Sequence, residues 1–168
     1  MNFEGGLTEA GAVAAANRIE SLYLDVDGTL TDGKLYYSEE GIRSRAYCTL
    51  DGEGIFRLRE IGVSVVFLTR SDVGDADYRA KDLACYYFPN VQDKAAFIRS
   101  EQRFRKLERM AFVGNDEPDF SCLPLVGLFF VPADGLIPTG KRCRTGRGGG
   151  NGAVREVCDF IIEAKRGQ

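Results

Sequence analysis

The sequence predicts an α/β fold: a mainly parallel sheet flanked by helices. The stretches Ser21–Val26, Val63–Leu68, Met110–Val113 and Gly127–Val131 are near-continuous apolar runs of strand length, the pattern of strands buried on both faces. Segments with helical spacing separate them, and alternation of strands with helices implies parallel pairing through crossovers. A chain of 168 residues with 44% hydrophobic content has the size of a single domain and enough apolar material for one substantial core, so residues 1–168 are expected to form one domain.

In chain order, the Ala-rich stretch Thr8–Glu20 reads as a helix leading into the first strand, Ser21–Val26. Lys34–Ser38 and Arg43–Cys48 read as the arms of a β-hairpin joined by Glu39, Glu40 and Gly41, where a glycine can supply positive φ. From Asp51, the spacing of Ile55, Leu58 and Ile61 suits an amphipathic helix, with Gly62 placed to cap its C-terminus. After the strand Val63–Leu68 come a helix over Asp72–Ala84, a short strand Cys85–Phe88, and a helix from Asp93 to about Lys106 with Ala96, Phe97 and Phe104 on one side. Gly146–Gly152 holds five glycines in seven residues and reads as a loose hinge. It leads to a terminal helix, Ala153–Lys165, with Val154, Val157, Ile161 and Ile162 at helical spacing.

Composition excludes several chemistries. The chain has no His, which removes Ser-His-Asp and Cys-His catalysis, His-ligated zinc and histidine pH switching. Proton transfer falls to carboxylates, Lys, Tyr or Cys. A net charge of −3 offers no broad attraction to nucleic acid or to an anionic membrane. The cysteines at 48, 85, 122, 143 and 158 show no C-x-x-C spacing, and an odd count makes a poor disulfide framework, so reduced thiols in a cytoplasmic protein are expected. No apolar run approaches the ~20 residues of a membrane span, and no membrane partner is expected.

The first strand ends in Asp25-Val26-Asp27, and the alternation of side chains along an extended backbone puts both carboxylates on one side. Such a pair repels unless a cation neutralises it or one member stays protonated. Its place at the carboxyl end of a strand is where open α/β sheets bind ligands. The run D-V-D-G-T-L-T-D-G, Asp25–Gly33, resembles the first motif of the haloacid dehalogenase superfamily of phosphotransferases. Thr69 in F-L-T-R-S, Lys94 in V-Q-D-K and the loop Gly114–Asp119 follow in the superfamily's order. The short hairpin at 34–48 and the lack of a large cap insertion are similar to the compact, capless branch. Asp51–Ile55, Val131–Asp134 and the tail Gly149–Asp159 resemble the 3-deoxy-D-manno-octulosonate 8-phosphate phosphatases, so the similarity runs from about Ile19 onward.

That resemblance implies a Rossmann-like fold and a phosphatase. Asp25 would be the nucleophile that forms an aspartyl-phosphate, and Asp27 the general acid and base. Thr69 would hydrogen-bond the phosphoryl group and Lys94 would steady its charge. Mg²⁺ would be held by Asp25, the Asp27 backbone carbonyl and the fourth motif, where Asn115, Asp116 and Asp119 are the candidates. Thr29, Asp51, Arg70 and Arg155 are implied as substrate-binding residues, and the substrate as a phosphorylated sugar acid. Its carboxylate would need a basic partner among Arg70, Arg79, Lys141 and Arg155. The family also implies a homotetramer in which a neighbour's hairpin and glycine-rich tail, 146–168, close over the substrate, so that glycines 148–152 are less a linker than a segment able to pack closely near a ligand.

The fourth motif reads G-N-D where many members have G-D-D, Thr69-Arg70-Ser71 stands for Thr-Gly-Arg, and Gly149–Gly152 reads G-G-N-G for G-G-R-G. These changes touch the substrate rim and leave open octulosonate and nonulosonate phosphates. A rival reading is an oligomerisation or regulatory module with little turnover, similar to the phosphatase-like domain of sialic-acid cytidylyltransferases. A phosphoacceptor receiver shares an acidic pocket, a Thr and a Lys, but leaves Asp27 and the tail without a role.

Overall fold

The computed structural model describes residues 1–41, 43–72 and 74–167. Val73 of the expected Asp72–Ala84 helix, Ile42 of the expected flap and Gln168 of the expected tail lie outside the described residues. Strands β1 (Asn2–Glu4), β2 (Ser21–Leu24), β5 (Ser64–Leu68), β6 (Tyr86–Phe88), β7 (Met110–Val113), β8 (Leu128–Val131) and β9 (Arg142–Arg144) form a seven-stranded sheet in the order β1-β9-β8-β7-β2-β5-β6. All pairings are parallel except β1 with β9. The short strands β1, at one edge, and β9, beside it, carry no long apolar run, and the sequence pattern did not predict them.

Side-chain alternation divides the core into two layers. Leu22, Leu24, Val65, Phe67, Ala111, Val113, Leu128 and Phe130 face one layer. It is completed by helices α1 (Glu9–Asn17), α2 (Thr49–Glu60), α3 (Asp75–Asp82) and α6 (Ala153–Arg166). Tyr23, Val66, Leu68, Met110, Phe112, Phe129 and Val131 face the other, against α4 (Lys94–Glu101) and the segment around the short α5 (Glu117–Phe120). Phe112 and Phe129 stack there across β7 and β8, with centroids 5.7 Å apart. Each fully buried large side chain of this kind contributes roughly 1.5–3 kcal/mol of burial free energy.

Several boundaries differ from the sequence expectation. The helix expected over 93–106 ends at Glu101, because Arg105 turns back to donate to the Glu20 carbonyl at 2.7 Å and to Ser64 Oγ at 2.9 Å. Its buried face is Lys94, Ala95 and Ile98, while Phe104 is 69% exposed and Ala96 lies outside the core. The hairpin exists but is smaller than expected: β3 (Tyr36–Tyr37) pairs antiparallel with β4 (Arg43–Ser44), and both are exposed. Helix α2 starts at Thr49 and ends where expected, with Gly62 at φ +84° and its N–H bonded to the Arg59 carbonyl.

The glycine-rich tail is a packed segment, not a loose hinge. Gly149 is buried, and a Cβ there would stand 2.0 Å from the Gly28 carbonyl oxygen. Gly150, at φ +64°, donates its N–H to the Thr29 carbonyl at 3.1 Å. Only residues without side chains let these two backbones approach so closely. All five cysteines are free thiols, and no helix among the described residues is long and apolar enough to cross a membrane.

Candidate active site

The chain reaches β5 on one side of β2 and β7 on the other, so the connection reverses at the carboxyl end of β2, where α/β sheets form their ligand crevice. Asp25 follows β2, Thr69 follows β5 and Asn115 follows β7 within one residue of Gly114. Lys94 enters from the first turn of α4, which Asp93 caps by accepting from Ala96 N. Asp25, Asp27, Thr69, Arg70, Lys94 and Asn115 all line one pocket of about 180 Å³.

Beyond β2 the backbone leaves strand geometry. Asp25 and Asp27 stay extended, and Gly28 at φ +82° turns the chain through a tight loop closed by the Thr31 N–H on the Val26 carbonyl. A Cβ on Gly28 would lie 2.2 Å from the Asn115 amide, so this glycine serves both the turn and the approach of Asn115.

Lys94, only 2% exposed, donates to Asp25 Oδ1 at 2.5 Å and to Asp119 Oδ1 at 2.6 Å. Burial opposes its charge, but the two carboxylates outweigh that and raise its pKa. Burial, then the like charge of Asp119, against the opposing pull of Lys94, lifts the Asp25 carboxyl to about 7. Asp119 Oδ2 accepts the Asn115 and Asp116 N–H groups at 3.0 and 3.3 Å, so Asp119 is committed to Lys94 and the loop. Asp116, expected among the metal ligands, caps α5 with Oδ1 accepting Glu117 N at 2.7 Å.

A different set of oxygens converges. One end atom of the Asn115 amide stands 2.9 Å from the Asp27 carbonyl oxygen and 3.0 Å from Asp25 Oδ2. With nitrogen in that place, it donates to both. With oxygen there, three acceptors meet with no proton between them, which a cation relieves. Adjacent oxygens around a cation with Mg²⁺-like bonds of ~2.1 Å lie about 3.0 Å apart, and both observed separations match that octahedral edge. The donors are a carboxylate, a backbone carbonyl and an amide, all oxygen, as a hard cation prefers. Among the described residues no group of three His, Cys, Asp or Glu side chains forms a metal cluster; of these three donors only Asp25 is such a side chain.

The remaining expected site residues are dispersed. Thr29, expected to bind substrate, is fully buried and turns to Asn115 Oδ1, at 3.5 Å. Asp51, also expected to bind substrate, is 1% exposed and accepts the Arg155 N–H at 2.7 Å, anchoring the start of α6. Arg155 pairs with Asp159 at 2.6 Å and lines a separate cavity of about 510 Å³ beside Met1 and Arg147. Arg70 is exposed at the pocket and donates to Gln92 Oε1 at 3.2 Å. Arg79 is turned to the Cys48 carbonyl and the Tyr47 ring, and Lys141 lies by Leu7 and Leu123.

Sequence reasoning missed Arg45. Its side chain is 0% exposed and its guanidinium lies 3.3 Å from Asp27 Oδ1 and 3.5 Å from Asp75 Oδ1. Nothing in R-S-R-A distinguishes it from exposed Arg43 two residues earlier. Burial raises the Asp27 pKa, with Arg45 pulling against it and Asp75 adding to it.

A carboxylate loop and a motif lysine at the switch point of a parallel sheet define a phosphotransferase site of the haloacid dehalogenase type. No family model matches the chain. It is 33% identical over 167 residues to the 3-deoxy-D-manno-octulosonate 8-phosphate phosphatase KdsC of Escherichia coli, covering 95% of this chain and 88% of that one. The structure of the phosphatase of the same name from Moraxella catarrhalis, in complex with a magnesium ion, a phosphate ion and a KDO molecule, matches with a TM-score of 0.91 at 29% identity. That match covers 95% of this chain and 94% of that one. N-acylneuraminate cytidylyltransferase A of Danio rerio is 32% identical over 156 residues, which span 88% of this chain but 36% of that protein. The chain belongs to the KdsC family of phosphatases within the haloacid dehalogenase superfamily.

Proposed function

We propose that this chain is a Mg²⁺-dependent phosphatase of a phosphorylated 2-keto sugar acid, 3-deoxy-D-manno-octulosonate 8-phosphate or a related octulosonate or nonulosonate phosphate. The observation that carries this is the approach of the Asn115 amide to the Asp27 carbonyl and to Asp25 Oδ2, beside the Lys94–Asp25 contact. Asp25 attacks phosphorus in line as the bond to the sugar oxygen breaks, and Asp27 protonates that oxygen. Asp27 then takes a proton from the water that attacks phosphorus, the Asp25–phosphorus bond breaks and phosphate leaves. Lys94 and Thr69 hold the phosphoryl charge, and Asp119 holds Lys94. Mg²⁺ held by Asp25, the Asp27 carbonyl and Asn115 would neutralise charge crowded at the nucleophile.

A pocket of about 180 Å³ suits a phosphoryl group better than a whole sugar acid. Arg70 at its mouth is the basic residue best placed for the sugar's carboxylate. The exposed hairpin, with Tyr37 at 64%, leaves a surface on which a neighbouring subunit of a homotetramer would complete the sugar site. An intact Asp25 in an assembled pocket favours turnover over a purely oligomerising module. The test is phosphate release from octulosonate and nonulosonate phosphates with Mg²⁺ and with chelator. Release with Mg²⁺ and its loss in Asp25→Asn are expected; no release from either substrate overturns the reading.

A further inference from the structure

The hairpin leaves the sheet exposed on both of its short strands, yet the residue that closes it, Arg45, has no exposed side-chain surface. Burying a guanidinium costs several kcal/mol unless its partners compensate. Among the described residues the partners are three: Asp27 Oδ1 at 3.3 Å, Asp75 Oδ1 at 3.5 Å, and Ser71 Oγ, to which Nη2 donates at 3.0 Å. Nε and Nη1 reach the carboxylates as ion pairs without aligned hydrogen bonds. Asp75 is itself held by the Tyr47 hydroxyl at 3.1 Å, so the cation is fixed from the hairpin side and from the start of α3. Asp27 lines the pocket with 39% of its side chain exposed, and the Arg45 contact is the one cation contact among the described residues that restrains its carboxylate. Ion-pair attraction at Oδ1 favours the carboxyl orientations that keep that oxygen on Arg45 and leave Oδ2 free to meet a leaving group.

We propose that Arg45 is a positioning residue: it orients the Asp27 carboxyl for proton transfer to the departing sugar oxygen, and thereby couples the hairpin to the chemical step. The proposal rests on the phosphatase reading above. In the step concerned, the Asp25–phosphorus bond forms while the phosphorus–sugar oxygen bond breaks. The Asp27 proton moves to that oxygen, releasing the free sugar and leaving Asp27 as carboxylate.

A leaving group that departs without a proton does not need Asp27 aligned. The test compares kcat/KM for an alkyl substrate, octulosonate 8-phosphate, with that for p-nitrophenyl phosphate. Both values report only the steps up to departure of the first product, before water attacks. In Arg45→Met the alkyl value is expected to fall about 100-fold, within the range for a misplaced general acid, while the aryl value stays within about threefold. Arg45→Lys, which keeps the buried charge and serves if the Met variant does not fold, is expected to show the same selective loss at about tenfold. Equal losses on both substrates mean a merely structural role, and no loss means no role; either overturns the proposal while leaving the phosphatase reading intact. A wild-type chain that hydrolyses neither octulosonate nor nonulosonate phosphate overturns both.

Discussion

Two buried cations serve the two catalytic-site aspartates, and they are held in different ways. Lys94 rises from a helix packed on the sheet and makes close contacts of 2.5 and 2.6 Å to Asp25 and Asp119, each almost fully buried. Arg45 comes from a hairpin of two-residue strands and stands 3.3 and 3.5 Å from Asp27 and Asp75, whose side chains are 39% and 25% exposed. In the proposed mechanism the nucleophile would thus be set by the rigid sheet, and the proton-transfer group by an insertion outside it. A fixed attack line and an adjustable acid would follow from that division, because strand ends hold side chains more tightly than hairpins do.

The sharpest division between the two aspartates comes from Asp25→Asn. Loss of the nucleophile should reduce phosphate release by about 10⁴-fold or more, measured by single-turnover assay, and a surviving activity would break the assignment of attack to the sheet-borne residue. Next is the stability of Lys94→Met, expected to fall by about 3–5 kcal/mol because two buried carboxylates lose their cation. The matching Arg45→Met should lose only about 1–2 kcal/mol, since water reaches its partly exposed carboxylates. Urea unfolding of both variants checks this, and equal losses would erase the contrast.

The third prediction concerns pH. The unfolded chain releases the Asp25 proton near pH 4, whereas the folded chain, with burial and Asp119 acting against Lys94, holds it to about 7. The folded state therefore binds more protons between those values, and this carboxyl withdraws stability as pH rises from about 4 to about 7. Asp25→Asn has no such proton, so in chelator its stability should gain on wild type across that window and run parallel above it. Parallel urea-derived curves throughout would show that Lys94 already neutralises the site. A smaller effect is expected of Asn115→Asp, which adds a charge beside the Asp27 carbonyl and Asp25 Oδ2. Mg²⁺ binding followed by calorimetry should tighten by roughly tenfold, about 1.4 kcal/mol. Smallest is Tyr37→Ser on the exposed hairpin, expected to shift monomer stability by no more than about 0.5 kcal/mol.

Much of the scaffold was legible. The four long apolar runs became β2, β5, β7 and β8, and Asp25, Thr69, Lys94 and Asn115 stand beyond the strands or at the helix start where the spacing put them. Less legible were two short neighbouring strands: β1 and β9 pair over three residues, too few for periodicity to register. Composition alone read the glycine-rich tail as a hinge where the resemblance implied close packing, since composition reports freedom of the backbone but not what lies 2.0 Å away from Gly149.

Local order in the chain thus determined the strands, their alternation into two core layers, and the succession of acidic, hydroxyl and lysine residues at their ends, because side-chain period and strand termini are properties of short segments. Only the tertiary structure decided which charges meet. Asp119 became the holder of Lys94, Asp51 the anchor of α6, Thr29 a support for Asn115, and Arg45 the buried companion of Asp27. Each of those contacts joins residues far apart in sequence or turns a side chain inward against its local pattern, and burial and Coulomb attraction act on distances in space that no spacing along the chain encodes.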